Sequence, residues 1–277
     1  MTTATVSVEI TPKDAGWEYS GLRVVELPPG GAAAVHTTDA ETLVVPLSGS
    51  GTVTCDGDTA QLTGRRSVFD GPSDFAYLPV DSTATVSSRE GGRFALPFAR
   101  TAARLPFRYV PAAAVPVELR GAGTCSRQVN NFCTPQAFDA GAVIACEVLT
   151  PGGNWSSYPP HKHDEDRPGE SALEEIYYFE IADGPAGPGV AYQRVYGTPE
   201  RPIDVLAEVR SGDVVLIPHG WHGPSMAAPG YDLYYLNVMA GPERTWQICD
   251  DPAHAWIRDT WADQPVDPRL PFAGRTT

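Results

Sequence analysis

Lysine is nearly absent from this sequence. Only Lys13 and Lys162 are lysines among 20 Lys and Arg residues, and 34 Asp and Glu leave a formal net charge of -14. So acidic a chain disfavours nucleic acid as a partner, because phosphate binding draws on basic surface. Cysteine is also sparse: Cys55, Cys125, Cys133, Cys146 and Cys249 are an odd, scattered set with no C-x-x-C. That excludes a disulfide framework and a thiolate metal site. No stretch reaches the ~18 apolar residues of a membrane span, and the N-terminal segment has no apolar signal core. A soluble protein of a reducing cytoplasm, without membrane contact, is the expectation. P-loop, G-x-G-x-x-G, G-x-S-x-G and zinc-protease helix patterns are missing too, which sets aside the common nucleotide and hydrolase classes.

What the chain has in quantity is punctuation, with 27 Gly and 27 Pro in 277 residues. Such density suits short strands joined by turns, and the length suggests two domains or one large β unit. From Gly21 to about Phe98 the runs L-R-V-V-E-L, T-L-V-V-P-L, G-T-V-T-C, F-A-Y-L-P and R-F-A-L are β-prone. Turn clusters such as S-G-S-G at 48–51 and D-G-D at 56–58 separate them. The stretch Pro97–Gly123 reads as a linker carrying an edge strand. Longer runs follow, among them V-I-A-C-E-V-L, I-Y-Y-F-E-I, V-A-Y-Q-R-V-Y, V-V-L-I-P and D-L-Y-Y-L-N-V-M. The fold class predicted is all-β with few short helices; the tail from Pro242, with Trp246, Trp256 and Trp261, offers a turn of helix. The halves repeat weakly: L-V-V-P-L-S-G-S-G matches I-Y-Y-F-E-I-A-D-G, and D-F-A-Y-L-P matches D-V-V-L-I-P.

The chemistry concentrates between Asn154 and Ile181. His161 and His163 stand two apart, so on an extended chain both imidazoles face one side while Lys162 faces the other. Glu175 opens the run E-I-Y-Y-F and shares its side with Tyr177 and Phe179, which favours it over Glu174. Two imidazoles and a carboxylate suit a divalent transition metal. His222, in P-H-G-W-H, is the favoured fourth ligand over the turn residue His219. H-x-H, then Glu, then P-x-G-x-H is close to the cupin barrel signature, although the gap from His163 to Glu175 is long. Asp164, Glu165, Asp166 and Glu170 within that gap read as a solvated loop. The first half holds a lone His36, no H-x-H, and no histidine after Leu78-Pro79, so a duplication would have kept its metal site in the second copy alone.

The run N-W-S-S-Y-P-P-H-K-H-D, then L-E-E-I-Y-Y, Q-R-V-Y and G-Y-D-L-Y-Y-L-N-V-M-A-G-P, resembles the 5-deoxy-glucuronate isomerase family of bacterial myo-inositol catabolism. In the first half G-W-E-Y-S-G-L, S-V-F-D-G-P and G-A-G join the resemblance. It implies a bicupin of two jelly-roll-like barrels: residues 1–120 with degenerate ligands, residues 121–277 with the metal site. It also implies an isomerase converting 5-deoxy-D-glucuronate to 5-dehydro-2-deoxy-D-gluconate by a metal-assisted enediolate. The implied ligands are His161, His163, Glu175 and His222, holding Zn, Mn or Fe. For proton transfer the candidates are Glu175 and Tyr178, and for the substrate carboxylate Arg194 and Arg127. The expected partner is a small sugar acid, and a homo-oligomer is expected. The rival readings are a metal-dependent cupin dioxygenase and a sugar-binding bicupin without catalysis.

Overall fold

Side-chain alternation sorts each strand onto two faces, and the buried faces decide what the sheets close around. The computed structural model of the protein describes residues 4–272. Helix is confined to Pro12–Ala15 and short 3-10 turns, the longest spanning Ala255–Asp263 in the tryptophan-rich tail. The rest of the regular structure is strand, as the Gly and Pro punctuation predicts. No helix among the described residues is long and apolar enough to cross a membrane.

Two units form. The first takes the chain up to Pro116 together with Phe132–Ala145 and Val238–Arg244. The second takes Val117–Asn131, Cys146–Asn237 and the chain from Thr245 on. A single boundary between residues 120 and 121 does not describe this division, because two later segments return to the first unit.

The first unit is built on one nine-stranded sheet running Thr5–Ile10, Ser20–Leu27, Gly92–Arg100, Ala40–Cys55, Phe75–Leu78, Arg108–Val110, with Gly31–His36, Asp58–Arg65 and Thr83–Ser88 branching from it. Val25, Leu27, Val35, Val44, Val53, Phe94 and Leu96 fill its core. The S-G-S-G cluster differs from expectation: it bends a strand instead of ending one. Ala40–Cys55 is continuous, with register shifts at 46–48 against Gly92–Arg100 and at 49–51 against Asp58–Arg65. Gly49 sits at φ +83, and a Cβ there would lie 2.6 Å from the Gly91 carbonyl oxygen, so only glycine fits the bend.

The second unit opposes two six-stranded sheets. One runs Val117–Arg120, Arg127–Cys133, Ile144–Thr150, Leu233–Ala240, Glu174–Ile181, Val214–Ile217. The other runs Asp204–Val209, Ala191–Tyr196, Trp221–Ala227, His161–Lys162, Cys249–Asp250, with Trp155–Ser156 branching from Trp221–Ala227. Val129, Val148, Phe179 and Tyr235 from the first meet Ala191, Val195, Val209 and Ala227 from the second. Tyr177 and Tyr235 stack at 4.8 Å between centroids and 9° between planes, a contact worth about 1 kcal/mol beyond the area it buries.

Glu41, fully buried on Ala40–Cys55, ties a distant segment into the first unit. Its carboxylate accepts the backbone N–H groups of Gly141 (2.8 Å), Ala142 (2.6 Å) and Val143 (2.7 Å) and the Tyr77 hydroxyl (2.6 Å). Burial first, and the Glu41 carboxylate second, push the Tyr77 phenol far above its ordinary range, so it stays a donor. Removing the carboxylate strands three amides, each costing roughly 1–3 kcal/mol when unpaired. Glu41→Ala is therefore expected to lower unfolding free energy by about 3 kcal/mol or more in urea titration. A loss under about 1 kcal/mol would show that the segment is held by other means.

Candidate functional site

The expected ligands converge because three strands bring them together. His161 lies opposite His222 in the ladder between their strands, and Glu175 lies opposite Ile217, just before the Pro218 turn that leads to His222. The His163 and His222 Nε2 atoms each stand 3.0 Å from the same Glu175 oxygen, Oε2. All three residues are buried, and one ligand atom from each lies within 4.8 Å of the others. His161 borders this group, its ring 4.5 Å from that of His222 and 6.4 Å from that of His163. Its Nδ1 lies 3.2 Å from the Pro159 carbonyl, so an N–H there leaves the Nε2 lone pair free. Glu174 falls on the opposite face of its strand and is only half-buried, and His219 stays in the turn outside the three-atom group.

The electrostatics of this cluster call for a cation. Burial foremost, and then His222 and His163, hold the His161 imidazole well below its ordinary range, so it is neutral. Burial works to raise the Glu175 carboxyl, but His222 and His163 outweigh it and hold the group well below the usual carboxylate range. Among the described residues, neither ring nitrogen of His222 nor Nδ1 of His163 has a hydrogen-bond partner. Orphaned buried polar atoms cost roughly 1–3 kcal/mol each. Two imidazoles and a carboxylate whose ligand atoms converge within 4.8 Å of one another suit a Zn, Mn or Fe ion, so the residues fit the expected metal.

Neighbours of the cluster define a pocket lined by Arg120, Arg127, Val129, Cys146, Val148, Tyr177, Tyr235 and Asn237. Asn237 donates through Nδ2 to Glu175 Oε1, while its Oδ1 has no partner among the described residues. The sequence reading passed over it, although one amide inside the apolar run L-Y-Y-L-N-V-M was a visible signal. Two expected residues fall outside. Tyr178 shares the strand face of Glu174 and Glu180, and its hydroxyl donates to Glu180 Oε1 at 2.9 Å, so period two turns it away from Glu175. Tyr177 is the phenol in the pocket, 2.9 Å from Ser157 Oγ. Arg194 faces outward and is bound to Asp204 and the Val205 carbonyl, whereas its neighbour Gln193 is the buried one.

Arg127, unlike Arg194, lines this pocket. Arg127 as a whole residue is 4% exposed. It donates to the Cys125 carbonyl at 3.0 Å and lies 5.4 Å from the Trp261 ring. Arg120, directly opposite in the ladder, is neutralised by Glu118 at 2.7 Å. Among the described residues no carboxylate pairs with Arg127. Burial brings it down to about 10, still charged at neutral pH.

The acidic stretch between His163 and Glu175 is solvated at Glu165 and Asp166, as expected, but not at Glu170, which is buried, or at Asp164, which is half-buried. Asp164–Arg167 and Glu170–Ala172 form a hairpin whose base closes with Leu173 N–H donating to the His163 carbonyl at 2.8 Å. Lys162, buried on the far side from the histidines, bonds Asp164 at 2.8 Å and Glu170 at 2.7 Å. Asp164 in turn accepts the Gly220 N–H at 3.0 Å and pairs with Arg201 at 2.8 Å. Burial would raise this carboxyl, but Lys162, the Gly220 amide and Arg201 bring it down to about 2. One ionic cluster thus fixes both the His163 backbone and the turn leading to His222. With the ligands held by separate elements, His163→Ala is expected to abolish metal binding by elemental analysis while leaving the circular dichroism spectrum unchanged. Full metal occupancy in that variant would remove His163 from the site.

Residues 1–257 match the KduI/IolB family. A 5-deoxy-glucuronate isomerase of Geobacillus kaustophilus is 42% identical over 256 residues, covering 91% of each chain. The crystal structure of an IolB-like protein from Salmonella typhimurium is similar with a TM-score of 0.85 and 36% identity, over 90% of this chain and 94% of that one. Oxalate decarboxylase of Bacillus subtilis, described for its Mn(II) centres, shares the fold alone, with a TM-score of 0.61 at 14% identity over 87% of this chain and 74% of that one. The two-barrel cupin architecture expected from sequence is borne out by these likenesses. By its match along nearly the whole chain, this protein is a member of the KduI/IolB family.

Proposed function

We propose that the protein is an isomerase that converts 5-deoxy-D-glucuronate to 5-dehydro-2-deoxy-D-gluconate, an aldose–ketose isomerisation within myo-inositol breakdown. The observation that carries the reading is Arg127, a buried arginine that has no carboxylate partner among the described residues and lies in the same pocket as the His–Glu cluster. A sugar acid has the two ends this pocket lacks. Its carboxylate matches the Arg127 fork, and its aldehyde with the adjacent hydroxyl matches the cluster. Relatives named 5-deoxy-glucuronate isomerase over 91% of the chain support the same substrate.

His161, His163, Glu175 and His222 would hold a divalent ion, which supplies Lewis acidity toward a carbonyl and its neighbouring hydroxyl. Asn237 orients the Glu175 carboxylate by holding Oε1. Burial, and behind it the charge of Glu175, push the Tyr177 phenol well above its ordinary range. It therefore keeps its proton and serves as a hydrogen-bond donor to a substrate oxygen. Val129, Cys146 and Val148 give the pocket an apolar wall beside Arg127. A methylene next to the carboxylate, as in the 5-deoxy sugar, lies against such a wall without stranding a hydroxyl.

The direct test is anaerobic proton NMR of 5-deoxy-glucuronate with the protein in D2O, with and without a chelator. Conversion to the keto acid that stops on chelation is expected; metal-loaded protein that leaves the aldehyde untouched would sink the assignment, and oxygen uptake with iron would point to a dioxygenase. Arg127→Leu is expected to raise KM by about tenfold to a hundredfold, the loss of a charged hydrogen-bonded pair. Arg194→Leu, which removes only an outward ion pair, leaves kcat/KM within about threefold. Equal effects of the two substitutions would displace Arg127 as the carboxylate anchor.

A further inference from the structure

The first unit keeps an open cavity at the position where the second carries its glutamate. Thr42 lies opposite Leu78, just before Pro79, as Glu175 lies opposite Ile217 just before Pro218. Thr42 thus holds the ladder place of Glu175, and beside it is a cavity of about 190 Å3. Such a volume is below the ~300–1,000 Å3 typical of drug-sized ligands, which restricts an occupant to a small molecule. Leu96 and Phe98 give the cavity an apolar wall, and Arg23, Arg100 and His36 stand with Thr42 around it. The arginines reach it by period two: Arg23 follows the face of Val25 and Leu27, and Arg100 that of Phe94 and Leu96, all but the arginines being core residues.

Both guanidiniums have weak partners. Arg23 pairs with Glu9 at 2.7 Å and Arg100 with Asp39 at 3.2 Å, and all four side chains are a third or more exposed. Exposed pairs are worth about 0–1 kcal/mol, so a ligand carboxylate that meets a guanidinium bidentately displaces them at little cost. Among the described residues, the only group of three or more His, Cys, Asp and Glu side chains able to hold a metal ion is the one in the second unit. The cavity therefore has the donors of an anion and polyol site, without a metal.

We propose that this cavity is a second, metal-free binding site for a small hydroxylated carboxylate of the sugar-acid class. Arg100 and Arg23 take the carboxylate, Thr42 and His36 the hydroxyls, and Leu96 and Phe98 the apolar edge of the carbon chain. The proposal stands on the first unit alone and does not rest on the isomerase reading.

His36 is one of six histidines, so its imidazole resonance serves as a reporter within the cavity. The full chain, labelled on histidine, is titrated with D-glucuronate and, as an uncharged control, with D-glucose; His36→Gln assigns the resonance. Glucuronate is expected to shift the His36 signal saturably in the millimolar range, and glucose at least about tenfold more weakly. The response should persist in Arg127→Leu, which disables the other pocket. It should weaken about tenfold or more in Arg100→Leu, or in Arg23→Leu if the first variant fails to fold. An unmoved His36 signal at about 50 mM glucuronate, an equal response to glucose, or loss of the response in Arg127→Leu overturns the proposal.

Discussion

Two imidazole nitrogens meet one buried carboxylate oxygen, and much of the second unit packs to keep them there. Left alone, that arrangement is costly: a carboxylate is buried, and among the described residues ring nitrogens of His163 and His222 lack hydrogen-bond partners. The fold supplies the compensation from outside the cluster. Asn237 holds the far oxygen of Glu175, and the Tyr177–Tyr235 stack fills the space behind. The Lys162 cluster clamps the two chain segments that carry His163 and His222.

Period two explains most of what the sequence revealed and one thing it misplaced. The spacing of His161, His163 and the Glu175–Tyr177–Phe179 face follows from alternation, which holds as long as a strand is regular. Tyr178 sits one residue off that face, and alternation turned it away from Glu175 even as the Y-Y pair made it look available. Arg194 was chosen for closeness in sequence, but its strand shows the interior Gln193 and leaves the arginine to Asp204. Arg127 carried no local signal, since what distinguishes it is the missing counter-ion, a property of the folded surroundings. In the acidic run after His163, composition does not reveal that Lys162, facing away from the histidines, gathers Asp164 and Glu170 while Glu165 and Asp166 stay exposed. At 48–51 two glycines suggested a chain reversal, where the neighbouring backbone allows only a bulge.

The two units carry the same ladder with different chemistry at one rung. Where the second presents Glu175 beside the Pro218 turn, the first presents Thr42 beside Pro79. A hydroxyl cannot hold a divalent ion as a carboxylate can. Arginines have entered the cavity wall of the first unit. Glu41, one residue from Thr42, points to the opposite face and binds backbone amides. An acid at that neighbouring position has thus become structural, and alternation alone separates the two roles.

The scarcity of lysine has a practical corollary. Lys162 is buried with its amine in three ion pairs, which leaves Lys13, exposed on the helix Pro12–Ala15, as the accessible lysine. Acylation of lysine under native conditions is thereby steered to Lys13 in the first unit and away from the His–Glu cluster. A dye or a tether attached that way has a defined address, and the molecule can be immobilised without coupling through the site it is meant to report on.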